Sequence, residues 1–265
     1  MKISSLINII CITVLVLIIV PPIVAATLEE TFKKKIDFEP EGYVYVQNTN
    51  GRVEVEGWNK NVIMIEAKKY VKASTNSAAK QYMKEIRIDI TQNKKEIVIK
   101  THFPRRSNNF WNWIFRNDES GYINYKLFVP KQTDLDIELT NGGISLKGVE
   151  GRAELNTTNG EITGKEIVGI VDAYTTNGSI EIELSEVYSG NDMQFQTTNG
   201  SIKLYLPENI RCNISARTSN GSLDTEFPLT LKGNFSSKKI EGKIKGGGPL
   251  IRLKTTNGNI QIYKR

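Results

Sequence analysis

The sequence predicts an all-β chain, a parallel β-solenoid with a less regular N-terminal portion, on three observations. Asn-Gly occurs seven times, at Asn50, Asn141, Asn159, Asn177, Asn199, Asn220 and Asn257, mostly inside a phrase close to Thr-Thr-Asn-Gly-Ser-Ile. Apolar residues alternate with polar ones on both sides of these pairs. From Asn141 onward the pairs lie 18, 18, 22, 21 and 37 residues apart, and a period of about 20 residues marks stacked structural units. A degenerate copy near Glu241 and Gly242 would divide the longest interval.

The elements follow from that pattern. Four and two residues before each Asn stand Ile137 and Leu139, Leu155 and Thr157, Ala173 and Thr175, Phe195 and Thr197, Ala216 and Thr218, Leu253 and Thr255. Three and five after it come Ile144 and Leu146, Ile180 and Ile182, Ile202 and Leu204, Ile260 and Ile262. Period-two alternation predicts strands entering and leaving each turn. Asn and Gly suit the turn because both tolerate positive φ. An antiparallel meander with two-residue hairpins satisfies the same parity and is the alternative. Spacing favours the solenoid, because connections such as residues 185–192 are long for a tight meander. Stacked corners about 4.8 Å apart would also let identical Asn amides and Thr hydroxyls form hydrogen-bonded ladders along one edge. The structural corners are therefore Asn141, Asn159, Asn177, Asn199, Asn220 and Asn257. Upstream, residues 42–56, 62–71, 85–91, 96–102 and 122–129 read as strands and 76–84 as a short helix. The organisation is a leader over 1–26, a β-rich portion over 27–130 and regular repeats over 131–265.

Residues 1–26 carry Lys2, an apolar run broken by little besides Asn8, then Pro21, Pro22 and the small residues Ala25 and Ala26. This is the pattern of a secretory signal cut after Ala26; the alternative is an uncleaved anchor, since the run approaches the ~18 residues that span a bilayer. Either reading exports the chain to the periplasm, cell surface or medium. Cys11 lacks the preceding small residue of a lipoprotein signal. Cleavage leaves Cys212 as the one thiol, so an intrachain disulfide is excluded and Cys212 reads as a small buried hydrophobe.

Charge is banded. Residues 27–130 hold 18 basic and 13 acidic side chains, 134–192 hold three and 12, and 203–265 hold 12 and four. Solvated faces or an axial field that guides docking would use such bands. No nucleic-acid-binding motif is present, and nucleic acid is not an expected partner.

Residues 42–58 with the Asn50 turn, residues 125–151 (YKLFVPKQTDLDIELTNGGISLKGVEG) and the later Thr-Thr-Asn-Gly copies resemble the bacterial putative-adhesin family of exported β-solenoids. The resemblance implies a right-handed β-helix-like fold, an envelope location and no catalytic residues; it also suggests an accessory role in envelope-stress regulation. The chain departs from the family pattern over residues 104–121, where Phe110, Trp111, Trp113, Ile114 and Phe115 stand beside Arg105, Arg106 and Arg116. These side chains either fold back over the solenoid or form an exposed tip that binds a lipid surface, a glycan or an envelope protein.

His102 is the one histidine, which removes triads needing a second imidazole and multi-histidine zinc sites. No cofactor motif is found. Asp136, Glu154 and Asp172 fall five residues before successive corner Asn residues, the same place being given later to Gln194, Asn213 and Arg252. A ladder of carboxylates is read as a solvated face, a weak calcium-type site or, least favoured, the acidic centre of a polysaccharide-cleaving enzyme. The expected function is a noncatalytic adhesin-like binding or scaffold protein of the cell envelope. The alternatives are a membrane-anchored envelope-stress accessory and that β-helix enzyme.

Overall fold

A computed structural model describes residues 26–104, 119–188, 190–231 and 236–265. Among the described residues the chain is all-β with one helix, and its strands join in a mixed sheet. Alternating side chains give each strand one buried and one wet face, and the buried sides meet in a single core.

The corners organise the pairing. Strands that enter a corner, Gly42–Asn50, Thr133–Asn141, Glu150–Asn159, the second part of Ile162–Asn177, Met193–Gln196, Leu250–Asn257 and Cys212–Asn220, pair in parallel in that spatial order. Strands that leave a corner do likewise: Val53–Trp58, Ile144–Lys147, the first part of Ile162–Asn177, Ile180–Val187, Ile202–Leu206, Ile260–Lys264 and Leu223–Thr225. We call these the entering and leaving layers. Ile162–Asn177 crosses between them through a register shift around Gly164 and Ile167, where Glu166 takes φ 56°.

The spatial order differs from the chain order at the C-terminal end. Asn257 stacks between Asn199 and Asn220, so the last coil of the chain lies inside the stack. The expected degenerate corner near Glu241 and Gly242 does not exist; both residues lie in Lys239–Ile244, antiparallel to Cys212–Asn220. The long interval is the chain passing over one coil position and returning to fill it.

Antiparallel strands close both ends. Arg87–Gln92 flanks Glu96–His102, and Ala26–Asp37 pairs with Val62–Ala73, which pairs with Ser120–Pro130. The helix Asn76–Glu85 starts at Thr75, whose Oγ1 accepts the Ala78 N–H at 3.1 Å, satisfying one of the free N–H groups of the first turn. It buries Ala79 and Met83 and packs on Val62–Ala73 and Ala26–Asp37. Ala26–Asp37 was not legible as a strand: Leu28 and Phe32 are only partly buried, and Lys33, Lys34 and Lys35 interrupt the alternation.

The corner residues hold the layers together in a manner that corrects the expected turn chemistry. None of the corner Asn residues has positive φ, and of the corner glycines only Gly51 and Gly258 do. Glycine is needed instead for close approach. A Cβ at Gly178 would lie 1.9 Å from the Gly160 carbonyl oxygen, and one at Gly160 would lie 2.1 Å from that of Gly142.

Candidate functional site

The corner edge and the outer face of the entering layer form the most regular surface of the molecule. Each corner Asn donates from Nδ2 to the Oδ1 of its neighbour: Asn141 to Asn50 at 2.9 Å, Asn159 to Asn141, Asn177 to Asn159 and Asn199 to Asn177 at 2.8 Å. Asn257 to Asn199 at 2.7 Å and Asn220 to Asn257 at 2.8 Å complete the row. The threonines do not form the expected ladder with one another. Buried hydroxyls reach the carbonyls of neighbouring corner glycines, Thr157 to Gly142 at 2.9 Å, Thr175 to Gly160 at 3.0 Å and Thr197 to Gly178 at 2.8 Å. A carbonyl at such a close approach has little water, and the hydroxyl satisfies it. Asn48 takes that place in the first coil and donates to the Ile123 carbonyl at 2.9 Å.

One residue earlier than each Asn, Thr140, Thr158, Thr176 and Thr198 point outward and are exposed. A shallow groove of about 240 Å³ lies beside them, lined by Asn156, Thr158, Tyr174, Thr176, Gln196 and Thr198 among others. Hydroxyls and amides, with one aromatic face, repeat here at each coil.

The acidic row is in register: Asp136 pairs with Glu154 and Glu154 with Asp172. It continues to Gln194, Arg252 and Ser215; Ser215, which stands five residues before Asn220, and not Asn213 holds that place. Its carboxylates do not converge. Asp136 Oδ2 accepts the Tyr43 hydroxyl at 3.0 Å, while its Oδ1 is buried without a hydrogen-bond partner. Burial holds the Asp136 carboxyl above the usual range, opposed by the Tyr43 hydrogen bond and reinforced by Glu154 and Glu138. Asp172 is also raised by burial, against the Gln194 N–H at 2.9 Å and the Arg152 guanidinium at 2.7 Å. Burial first, then the bond to Asp136, pushes the Tyr43 phenol up to about 12. Tyr45 donates to Glu138 at 2.7 Å. Among the described residues no three carboxylate, thiol or imidazole groups stand as a metal site requires, and the calcium-type reading of Asp136, Glu154 and Asp172 has no geometric support.

Sequence reasoning missed three side chains at this row: Tyr43 and Arg152, which bond Asp136 and Asp172, and Tyr45, which lies beside Asp136 in register and bonds Glu138. Tyr43 and Tyr45 come from a strand 93 residues earlier; Tyr45 stands five residues before Asn50, the place of the row, but that Asn50 stacks on Asn141 is seen only in the structure. Arg152 was legible two residues before Glu154, but its reach to the next coil was not. His102 pairs with Asp89 at 3.0 Å on the surface, and Cys212 is buried with its thiol pushed up to about 12. The proposed aromatic and cationic contacts Arg105, Arg106, Phe110, Trp111, Trp113, Phe115 and Arg116 lie outside the described residues, as does the leader before Ala26. Among the described residues no helix is long and apolar enough to cross a membrane.

The sequence model of the family described as Toastrack DUF4097 matches residues 117–263. No curated protein matches the chain. Solved structures with similarity include a "putative cell adhesion protein" from Clostridium sporogenes ATCC 15579, at 14% identity, TM-score 0.43, and coverage of 89% of this chain and 100% of that one. A "putative adhesin" from Bacteroides fragilis NCTC 9343 is 11% identical, with TM-score 0.26 and coverage of 89% and 97%. A "putative lipid binding protein" from Parabacteroides distasonis ATCC 8503 is 12% identical, with TM-score 0.28 and coverage of 89% and 96%.

Proposed function

This chain belongs to the Toastrack DUF4097 family, and from that premise we propose that it is a noncatalytic, exported, adhesin-like binding protein of the cell envelope, built as a parallel β-solenoid. The observation that carries the reading is the outer face of the entering layer. Thr140, Thr158, Thr176 and Thr198 recur in one register beside Asn156, Tyr174 and Gln196. Adjacent strands repeat about every 4.8 Å, so an extended polymer lying along the stack meets the same donors and acceptors at each coil. Weak contacts then add through effective concentration rather than through one deep pocket. A glycan chain or an extended peptide strand of the envelope has the required shape and hydrogen-bonding groups.

Binding to immobilised envelope polysaccharide tests this by polymer length. Affinity should rise steeply as the polymer comes to span several coils, and Thr158→Lys with Thr176→Lys should reduce it at least tenfold for long polymers. Affinity independent of length, or unchanged by these substitutions, would overturn the reading.

A further inference from the structure

A second face, on the opposite layer, carries different chemistry. Trp58 and Phe128 stack with ring centroids 5.3 Å apart and planes at 27°, both half-buried on the outer side where Ser120–Pro130 pairs with Val53–Trp58 of the leaving layer. The Trp58 indole N–H is tied to the Val62 carbonyl at 2.8 Å, which fixes the ring. Lys60 Nζ stands 4.8 Å from the Trp58 ring centroid and Lys126 Nζ 5.0 Å from that of Phe128. Further along the same strand, Tyr122 stacks on Tyr70 at 4.7 Å and 17°. Phe128 and Tyr122 are six positions apart, about 20 Å in an extended strand. Lys126, Lys33 and Lys68 occupy the interval with Glu66, which pairs with Lys33 at 3.1 Å and Lys68 at 3.5 Å. Glu54 and Glu56 face Lys126 and Phe128 from the neighbouring strand, and Glu29 stands beside Tyr70; these and Glu66 are four carboxylates against Lys33, Lys35, Arg52, Lys60, Lys68, Lys126 and Lys147, which leaves the face positive.

We propose that this face binds an acidic polysaccharide. The outward edges of the pre-positioned aromatic pairs offer apolar contact to the C–H groups of sugar rings, and the ammonium groups beside and between them pair with carboxylate or phosphate substituents along the polymer. The basic strip is complementary to a polyanion and not to a neutral chain. A lipid surface would ask rings to project past the sheet, whereas three of the four rings here lie half-buried and Tyr122 alone of them is exposed. The residues are separate from the threonine face of the entering layer, so the two sites fail independently.

The test is titration of the full chain with polygalacturonate, with dextran of matched length and with phosphatidylglycerol–phosphatidylcholine vesicles. The variants are Lys60→Gln with Lys126→Gln, Trp58→Ala with Phe128→Ala, and Thr158→Lys with Thr176→Lys. Polygalacturonate should bind and weaken with added salt, dextran should bind at least tenfold more weakly, and the lysine and aromatic pairs should each lose at least tenfold in affinity. The threonine pair should leave polygalacturonate binding unchanged. Lys60 is exposed and Lys126 lies on the outer face, so that pair keeps the test decisive even where the aromatic pair lowers folding yield. Equal dextran binding, no polygalacturonate binding, unchanged affinity in the lysine pair, or vesicle binding that these substitutions abolish in place of polygalacturonate binding would each overturn the proposal.

Discussion

Two regions of this molecule use strands in opposite ways. Between Asn50 and Asn220 in space, successive coils pair in parallel and in register, and every corner sets a glycine against the carbonyl of the next. At the N-terminal end, Ala26–Asp37, Val62–Ala73 and Ser120–Pro130 pair antiparallel, and the helix Asn76–Glu85 covers them. The contrast follows from the corner phrase. Where Thr-Thr-Asn-Gly recurs, each coil can repeat its neighbour's hydrogen bonds, whereas its absence leaves long strands and a helix to bury the last apolar layer. The end strands also protect the stack: an open parallel edge would template pairing with another chain, and the first strand carries Lys33, Lys34 and Lys35 along its length.

The largest way to break that contrast is a methyl group at a corner. Gly178→Ala places a Cβ against the Gly160 carbonyl and should cost about 3 kcal/mol through overpacking between coils, read as a drop in thermal midpoint. Gly190→Ala is the control: its Cβ meets nothing within 4 Å, and its φ of 91° alone should cost about 1 kcal/mol. A loss at Gly178 no larger than that at Gly190 would mean that close approach between coils does not select glycine at the corners.

A smaller effect sharpens the roles of the two polar corner residues. Thr175→Val removes the donor to the Gly160 carbonyl and should cost about 2 kcal/mol, because a shielded acceptor is left unpaired. Asn177→Ala breaks two links of an exposed row and should cost about 1 kcal/mol, since water can replace them. Denaturant titration of both variants orders the two; a larger loss at Asn177 would make the exposed row the principal tie between coils.

The smallest effect is electrostatic. The Asp136 carboxyl is raised by burial in the folded chain, so its ionisation disfavours folding: the relief is fully present below the unfolded-state pKa and lost as pH rises through the folded one. Asp136→Asn should therefore match or exceed wild type in thermal midpoint at neutral pH, with the advantage fading as pH falls through the carboxylate range. An advantage that grew on acidification would contradict the burial argument.

Much of the regular region was legible. Inward positions such as Ile137, Leu155, Phe195 and Leu253 are buried, because a fixed two-residue period needs no knowledge of partners. The helix starts at Asn76, as expected, and runs one residue past the expected end to Glu85. The corner chemistry was half legible: Asn amides do stack, but glycine serves contact between coils rather than positive φ, a distinction visible only when the neighbouring backbone is in place. Of the outer faces, the acidic row was readable by counting back from each Asn. Tyr43 and Tyr45 beside it, and the Trp58–Phe128 pair opposite, join residues tens of positions apart.

By itself the sequence determined that the chain is all-β, where most corners fall and which side chains point inward, since alternation and Asn-Gly spacing are local properties of the backbone. Only the tertiary structure decided the order in which coils stack. Near-identical corner phrases are interchangeable to a neighbouring strand, and the placement of Asn257 between Asn199 and Asn220 depends on how the chain after Thr225 folds back over the coil before it.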